Sequence, residues 1–221
     1  MREDRRQTLL VIQAPAGAGA FVDAAAEPRR GAMSPATDLH ALLALAYTDD
    51  LTNLPNRRFL QSRLHDAVGR SLALAEALSI LVLDIDRFKR INDRFGHSAG
   101  DQVLIEFAKV LRATSRASDV MGRWGGEEFL YILPGTLANA KTQAERLREA
   151  VAAFPFGAPR LDLRLTVSIG VTEYRPGESA GDLIDRADRL LYRAKGEGRD
   201  RAIACDQGSA PSRARRALTR P

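Results

Sequence analysis

Two glutamates in succession, Glu127 and Glu128, follow two glycines in the stretch Arg123-Trp124-Gly125-Gly126-Glu127-Glu128-Phe129. Short apolar runs flank it, Val120-Met121 before and Phe129 to Leu133 after. This pattern predicts a β-hairpin with the two glycines in its turn, because a two-residue loop needs positive φ and glycine adopts it without steric cost. Side chains alternate along a strand, so the two acids point in different directions. Oxygen ligands beside bare glycine backbone suit a divalent cation that carries a polyphosphate. The spacing alone leaves open a plain hairpin with two solvated acids.

A second acidic pair closes the run Ser79-Ile80-Leu81-Val82-Leu83-Asp84-Ile85-Asp86. The run is nearly continuous in apolar residues and predicts a buried central strand. Asp84 and Asp86 share a face at its C-terminal end, which favours a cation site over a single helix cap. Two such groups, far apart in sequence, need elements that bring them together. Residues 88–97 predict a short helix ending at Gly96, and a long amphipathic helix follows, with Asp101 as an alternative N-cap and Val103, Leu104, Phe107, Val110 and Leu111 inward. Before the strand, a helix opening at Pro55 or Asn56 carries Phe59, Leu60, Leu64, Val68, Leu72 and Leu74 on its apolar face. After the hairpin come a helix over residues 138–151, a strand over 163–171, a helix over 179–195 and a short edge strand over 201–205. This order predicts an α+β layer, helices packed on a mainly antiparallel sheet. A helical crossover from first strand to hairpin lets those strands lie side by side, with Asp84 near Glu127 and Glu128.

The 221 residues suffice for one domain with extensions. Residues 1–37, rich in Ala, Gly and Pro, are expected to be loosely structured. Residues 38–48 read as a linking helix over Leu39 to Tyr47, 49–205 as the main domain and 206–221 as a basic tail. The net charge of +5 owes much to tail arginines such as Arg213, Arg215, Arg216 and Arg220, so it predicts no nucleic-acid partner. The single cysteine, Cys205, excludes an internal disulfide framework and fits a cytoplasmic location. No apolar run approaches the ~20 residues needed for a membrane span. Paired Arg5-Arg6 before Leu9 to Ile12 faintly resemble an export signal, but Gln13 and Pro15 interrupt the run.

Residues 46 to 204 resemble the GGDEF family of diguanylate cyclases. The resemblance rests on five motifs in the family's order. They are Asp49-x-Leu51-Thr52-Asn53-Leu54-Pro55-Asn56-Arg57-Arg58; Asp84-Ile85-Asp86-x-Phe88-Lys89-x-x-Asn92-Asp93 with Gly96-His97-x-x-Gly100-Asp101; Gly125-Gly126-Glu127-Glu128-Phe129; Ser168-Ile169-Gly170; and Ala187-Asp188-x-x-Leu191-Tyr192-x-Ala194-Lys195-x-x-Gly198-Arg199. Asp200 departs from the Asn usual in the last segment.

The resemblance implies a palm-like, ferredoxin-like fold of the nucleotidyl-cyclase kind. It implies condensation of two GTP into cyclic di-GMP with release of two pyrophosphates. It assigns Asp84, the Ile85 main-chain carbonyl, Glu127 and Glu128 to Mg²⁺ or Mn²⁺, two ions per site. Glu127 and Glu128 would be catalytic, with Glu127 as base or ligand. Asn92 and Asp101 would read guanine, whose N1–H and N2–H₂ donors adenine lacks. Lys89, Lys195 and Arg199 would hold phosphates, with Phe88, Gly125 and Gly126 also at the substrate. Each copy holds one GTP, so the working unit is expected to be a homodimer under an unidentified upstream regulator. Arg116-Ala117-Ser118-Asp119 matches the family's inhibitory Arg-x-x-Asp product site, with Arg146 as a candidate for its second side. A binding module without turnover and a different nucleotidyl cyclase are the competing readings; the intact signature favours the enzyme.

Overall fold

The computed structural model describes residues 46–157 and 163–205. The linking helix expected over 39–47 lies outside this range except for Ala46 and Tyr47, which are helical. The expected N-terminal extension and basic tail lie outside it as well.

Helix α1 (Arg57–Leu74) leads to strand β1 (Leu78–Ile85), then α2 (Phe88–Phe95), α3 (His97–Thr114), β2 (Val120–Gly125), β3 (Glu128–Pro134), α4 (Leu137–Ala153), β4 (Val167–Glu173), α5 (Ala180–Gly196) and β5 (Arg201–Ala204). The five strands form one sheet in the order β2-β3-β1-β4-β5. All neighbours are antiparallel except β4 and β5. The expected α+β palm-like architecture is present.

β1 sits at the centre and is buried along its whole length. Its alternating side chains feed two cores, which is why its sequence reads as an unbroken apolar run. Leu81, Leu83 and Ile85 join Phe129, Tyr131 and Leu133 beneath α3 and α4. Ile80 and Val82 join Leu130 and Ile132 beneath α1 and α5. Each such side chain stabilises the fold by about 1.5–3 kcal/mol on burial.

Three boundaries differ from the sequence reading. α1 buries Leu60, Leu64, Ala67 and Ser71, whereas Leu72 and Leu74 are each 63% exposed. Leu72 falls off the 3.6-residue stripe that Leu60 and Leu64 define, whereas Leu74 lies on that stripe but is the last residue of the helix, before the left-handed cap Ala75. β4 starts at Val167, because Leu163 makes only an isolated bridge to Phe156. α3 begins at His97, so Asp101 lies inside the helix and is not its N-cap.

Candidate active site

β1 delivers Asp84 to the end of the sheet with Glu128 of β3 directly opposite and Ser168 of β4 on its other side. Cross-strand partners share a face, so two carboxylates confront one another there. Like charges in that position are unfavourable, and the chain answers them with a cation. Lys195 of α5 places its Nζ 2.6 Å from Asp84 Oδ2. Burial pushes the Asp84 carboxyl up to about 6; Lys195 pulls against that shift, and the Glu127 and Glu128 charges add to it.

The position of Lys195 follows from Gly170. A Cβ on Gly170 of β4 would lie 2.1 Å from the Ala187 carbonyl oxygen and 2.6 Å from the Leu191 nitrogen. Only glycine lets α5 lie that close to the sheet. Ser179 and Asp182 fix the start of α5 with a capping box.

The hairpin turn lies one residue beyond its expected place. Gly125 pairs with Glu128, so Gly126 and Glu127 form the loop, and Gly126 takes φ +50°. The register shifts between Arg123 and Gly125, which makes Trp124 the extra residue of a bulge. The Glu127 carbonyl accepts a hydrogen bond from Ile85 N at 3.4 Å, linking the turn to the end of β1. Arg123 braces the loop from behind. Its Nε donates to the Gly126 carbonyl at 2.9 Å and its Nη1 to both Asp49 oxygens at 3.2 Å. Asp49 is itself held by Thr52, and the Arg57 guanidinium lies 4.7 Å over the Trp124 ring. The opening turn is thus bonded to the signature hairpin. Both partners were visible in the sequence, but a contact across 74 residues has no local signal.

Asp86 has a use of its own. Thr166 Oγ1 donates to it at 2.7 Å, Ser168 Oγ at 2.6 Å and Asp200 N at 3.0 Å. Three donors make this carboxylate a knot between β1, β4 and the segment after α5, in place of the shared cation site expected with Asp84.

The two residues assigned to guanine flank the α2–α3 junction. Asn92 closes α2, its carbonyl accepting from Gly96 N, and its Oδ1 lies where a Cβ on Gly100 would be, 1.9 Å away. Asp101 is exposed one residue further along α3. Phe88 is buried in the core, so only its main chain is available to a ligand, while Lys89 is exposed. A cleft of about 660 Å³ opens beside Glu128 and Lys195, bordered by Asp188 and Tyr192. The Asp188 carboxyl is raised by loss of water and by the Glu128 and Asp185 charges.

Asp84, Glu127 and Glu128 offer only hard oxygen donors, and their charges oppose one another at the end of the sheet. That donor chemistry fits a divalent cation. Among the described residues no three acidic, histidine or cysteine side chains are drawn into one metal-sized cluster, and Lys195 takes the Asp84 oxygen.

At the Arg116–Asp119 turn, Asp119 Oδ2 accepts from Arg116 N at 2.9 Å and from Tyr131 Oη at 2.7 Å. Burial and then Asp119 raise the Tyr131 hydroxyl above its ordinary range. Arg116 is exposed, and Arg146 Nη2 donates to the Thr114 carbonyl at 2.6 Å beside the same turn. Among the described residues, no helix is long and apolar enough to cross a membrane.

Comparison with known proteins matches residues 46–201 to the family described as "Diguanylate cyclase, GGDEF domain". The chain is 49% identical over 157 residues to the diguanylate cyclase DgcP of Pseudomonas aeruginosa, covering 71% of this chain and 23% of that protein. It is 45% identical over 165 residues to the response regulator PleD of Caulobacter vibrioides, covering 73% and 36%. Both relatives therefore extend well beyond the matched region. Among solved structures, the coiled coil and GGDEF domain of DgcB from Caulobacter crescentus, in complex with c-di-GMP, aligns with a TM-score of 0.72 at 34% identity, covering 76% of this chain and 90% of that one. The active GGEEF domain of a Vibrio cholerae diguanylate cyclase aligns with a TM-score of 0.65 at 35% identity, covering 69% and 97%.

Proposed function

Because the chain belongs to the GGDEF domain family, we propose that it is a diguanylate cyclase that condenses two GTP into cyclic di-GMP and two pyrophosphates. The observation that carries this reading is the confrontation of Asp84 and Glu128 across β1 and β3, answered by Lys195. A buried carboxylate opposed by a half-buried one costs stability unless a cation uses them.

Asp84, the Ile85 carbonyl, Glu127 and Glu128 would hold Mg²⁺ or Mn²⁺. When bound, two such ions lower the pKa of the attacking 3′-hydroxyl and neutralise the triphosphate. Glu127, at the tip of the loop that Arg123 braces, takes the hydroxyl proton directly or through water. Lys195 stands on the Asp84 oxygen and is placed to answer phosphate charge, with Lys89 and Arg199 as further phosphate cations. Asn92 and Asp101 accept the guanine donors, and a base lacking them leaves those groups unpaired. Attack on the α-phosphorus breaks its bond to the pyrophosphate oxygen, and a second, symmetric attack closes the ring. One copy holds one GTP, so two copies must face each other as a homodimer. Its open side would be the cleft beside Tyr192, which is 80% exposed.

Arg116 and Asp119, with Arg146 beside them, form a site for the product. Arg116 is free to fork onto a phosphate or guanine edge because Asp119 binds its main chain and leaves its side chain exposed. The upstream input and the cytoplasmic location belong to the same reading.

The test is incubation of the full chain with GTP and Mg²⁺, with products resolved by mass. Cyclic di-GMP from wild type and none from Glu127→Ala supports the reading. Binding without turnover, or a linear product, overturns it.

A further inference from the structure

Helix α2 separates two surfaces. Phe88 and Asn92 meet Gly100 of α3 on one side, where guanine is placed. One helical face round, Arg87, Arg90 and Arg94 recur at the spacing of a single stripe and line a different cavity of about 410 Å³. The segment before β4 and the segment after α5 close it, adding Arg164 and Arg199.

Arg87, Arg90 and Arg94, three exposed cations on one stripe, repel each other unless something anionic sits among them. The cavity's two acids are bonded elsewhere. Asp86 is taken by Thr166, Ser168 and the Asp200 main chain, and Asp200 pairs with Arg148 at 3.0 Å. Among the described residues no carboxylate forms an ion pair with Arg87, Arg90 or Arg94. The floor is apolar, since Ile91 and Leu165 are buried, and a less polar wall strengthens attraction to an anion.

The backbone adds an independent observation. Among the described residues five non-glycine residues have positive φ, and three of them, Arg87, Arg199 and Asp200, line this cavity. Such conformations cost about 1 kcal/mol or more each and persist where the surroundings impose them. Here they hold two arginines at the cavity wall, and the Asp86 knot fixes the strand end between them.

We propose that this cavity is a second anion site that takes a small polyphosphate of the pyrophosphate class. Its identity as pyrophosphate rests on the cyclase reading, which has the enzyme release that ion; the binding itself does not. Arg199 lies on the boundary with the catalytic cleft. Occupancy would couple to catalysis through Asp86, two residues from Asp84, and through Arg199, four residues from Lys195.

The experiment is calorimetric titration of the full chain with inorganic pyrophosphate in the presence of a chelator. Wild type is expected to bind, R90A/R94A to lose at least about tenfold in affinity through two missing charge-assisted contacts, and K195A to keep binding. R90K/R94K, with unchanged thermal unfolding, is expected to bind between the two. No binding by wild type, equal binding by R90A/R94A, or loss confined to K195A overturns the site. Failure of the cyclase reading would show separately, as absence of cyclic di-GMP from GTP in a wild type that still binds pyrophosphate through Arg90 and Arg94.

Discussion

Asp84 and Asp86 stand two residues apart at the end of one strand and are almost equally hidden, at 6% and 7% exposure. Their surroundings are opposite. Asp86 receives two hydroxyls and a main-chain N–H, all uncharged donors that belong to the fold. Asp84 faces Glu128, feels Glu127, and is answered by one movable ammonium on a side chain one-third exposed. A carboxylate whose bonds are complete is built for stability. One whose charge is left to a flexible lysine is built to exchange partners. The comparison teaches that burial alone does not separate structure from chemistry; the type of partner does.

The strongest way to break this comparison is substitution of the catalytic acids. Asp84→Asn and Glu127→Ala are each expected to lower the rate of cyclic di-GMP formation by about a thousandfold without loss of thermal stability. Asp86→Ala is expected to do the reverse. It strands three donors, should destabilise by about 3 kcal/mol in denaturant titration, and should lose activity only in step with folded protein. If Asp86→Ala were as stable as wild type, the knot would have no structural worth.

The pH dependence of metal-free protein sharpens the contrast. The folded Asp84 pKa, near 6, lies above its ordinary 3.8, so its favourable contribution is present below pH 3.8 and lost as pH rises through 6. Asp84→Asn should therefore match wild type below about pH 4 and exceed its stability above pH 6. After solvent screening the expected gap is roughly 1 to 2 kcal/mol, read from unfolding curves at both pH values. Arg123→Ala, which frees the Gly126 carbonyl and Asp49, should cost about 1 kcal/mol and lower turnover by loosening Glu127. The smallest effect on the resting enzyme belongs to Arg116→Ala. It should leave the initial rate near wild type and abolish inhibition by added cyclic di-GMP, and persistent inhibition would remove the product site from the account.

Much of the fold was legible in the sequence. The unbroken run of β1, the short apolar runs on either side of Gly125-Gly126 and the helical spacing of Val103, Leu104, Phe107, Val110 and Leu111 are local patterns, and they gave the element order. Errors gathered where the deciding force was not local. Leu72 and Leu74 are apolar but exposed, Leu72 because it turns away from the buried stripe and Leu74 because the helix ends there. The hairpin turn moved one residue on because a bulge at Trp124 reset the register, and a tryptophan carries no bulge signal of its own. Asp86 was grouped with Asp84 by face, since its three donors come from residues 80 to 114 positions away.

The sequence by itself determined which residues could do chemistry: a strand ending in acids, a glycine turn followed by two more, and a helix ending in Lys195. Only the tertiary structure decided which acid is spent on the fold and which is held against its own kind. Partner identity there depends on strand register and on how closely α5 reaches the sheet over Gly170, and both are set by packing across distances that local pattern does not encode.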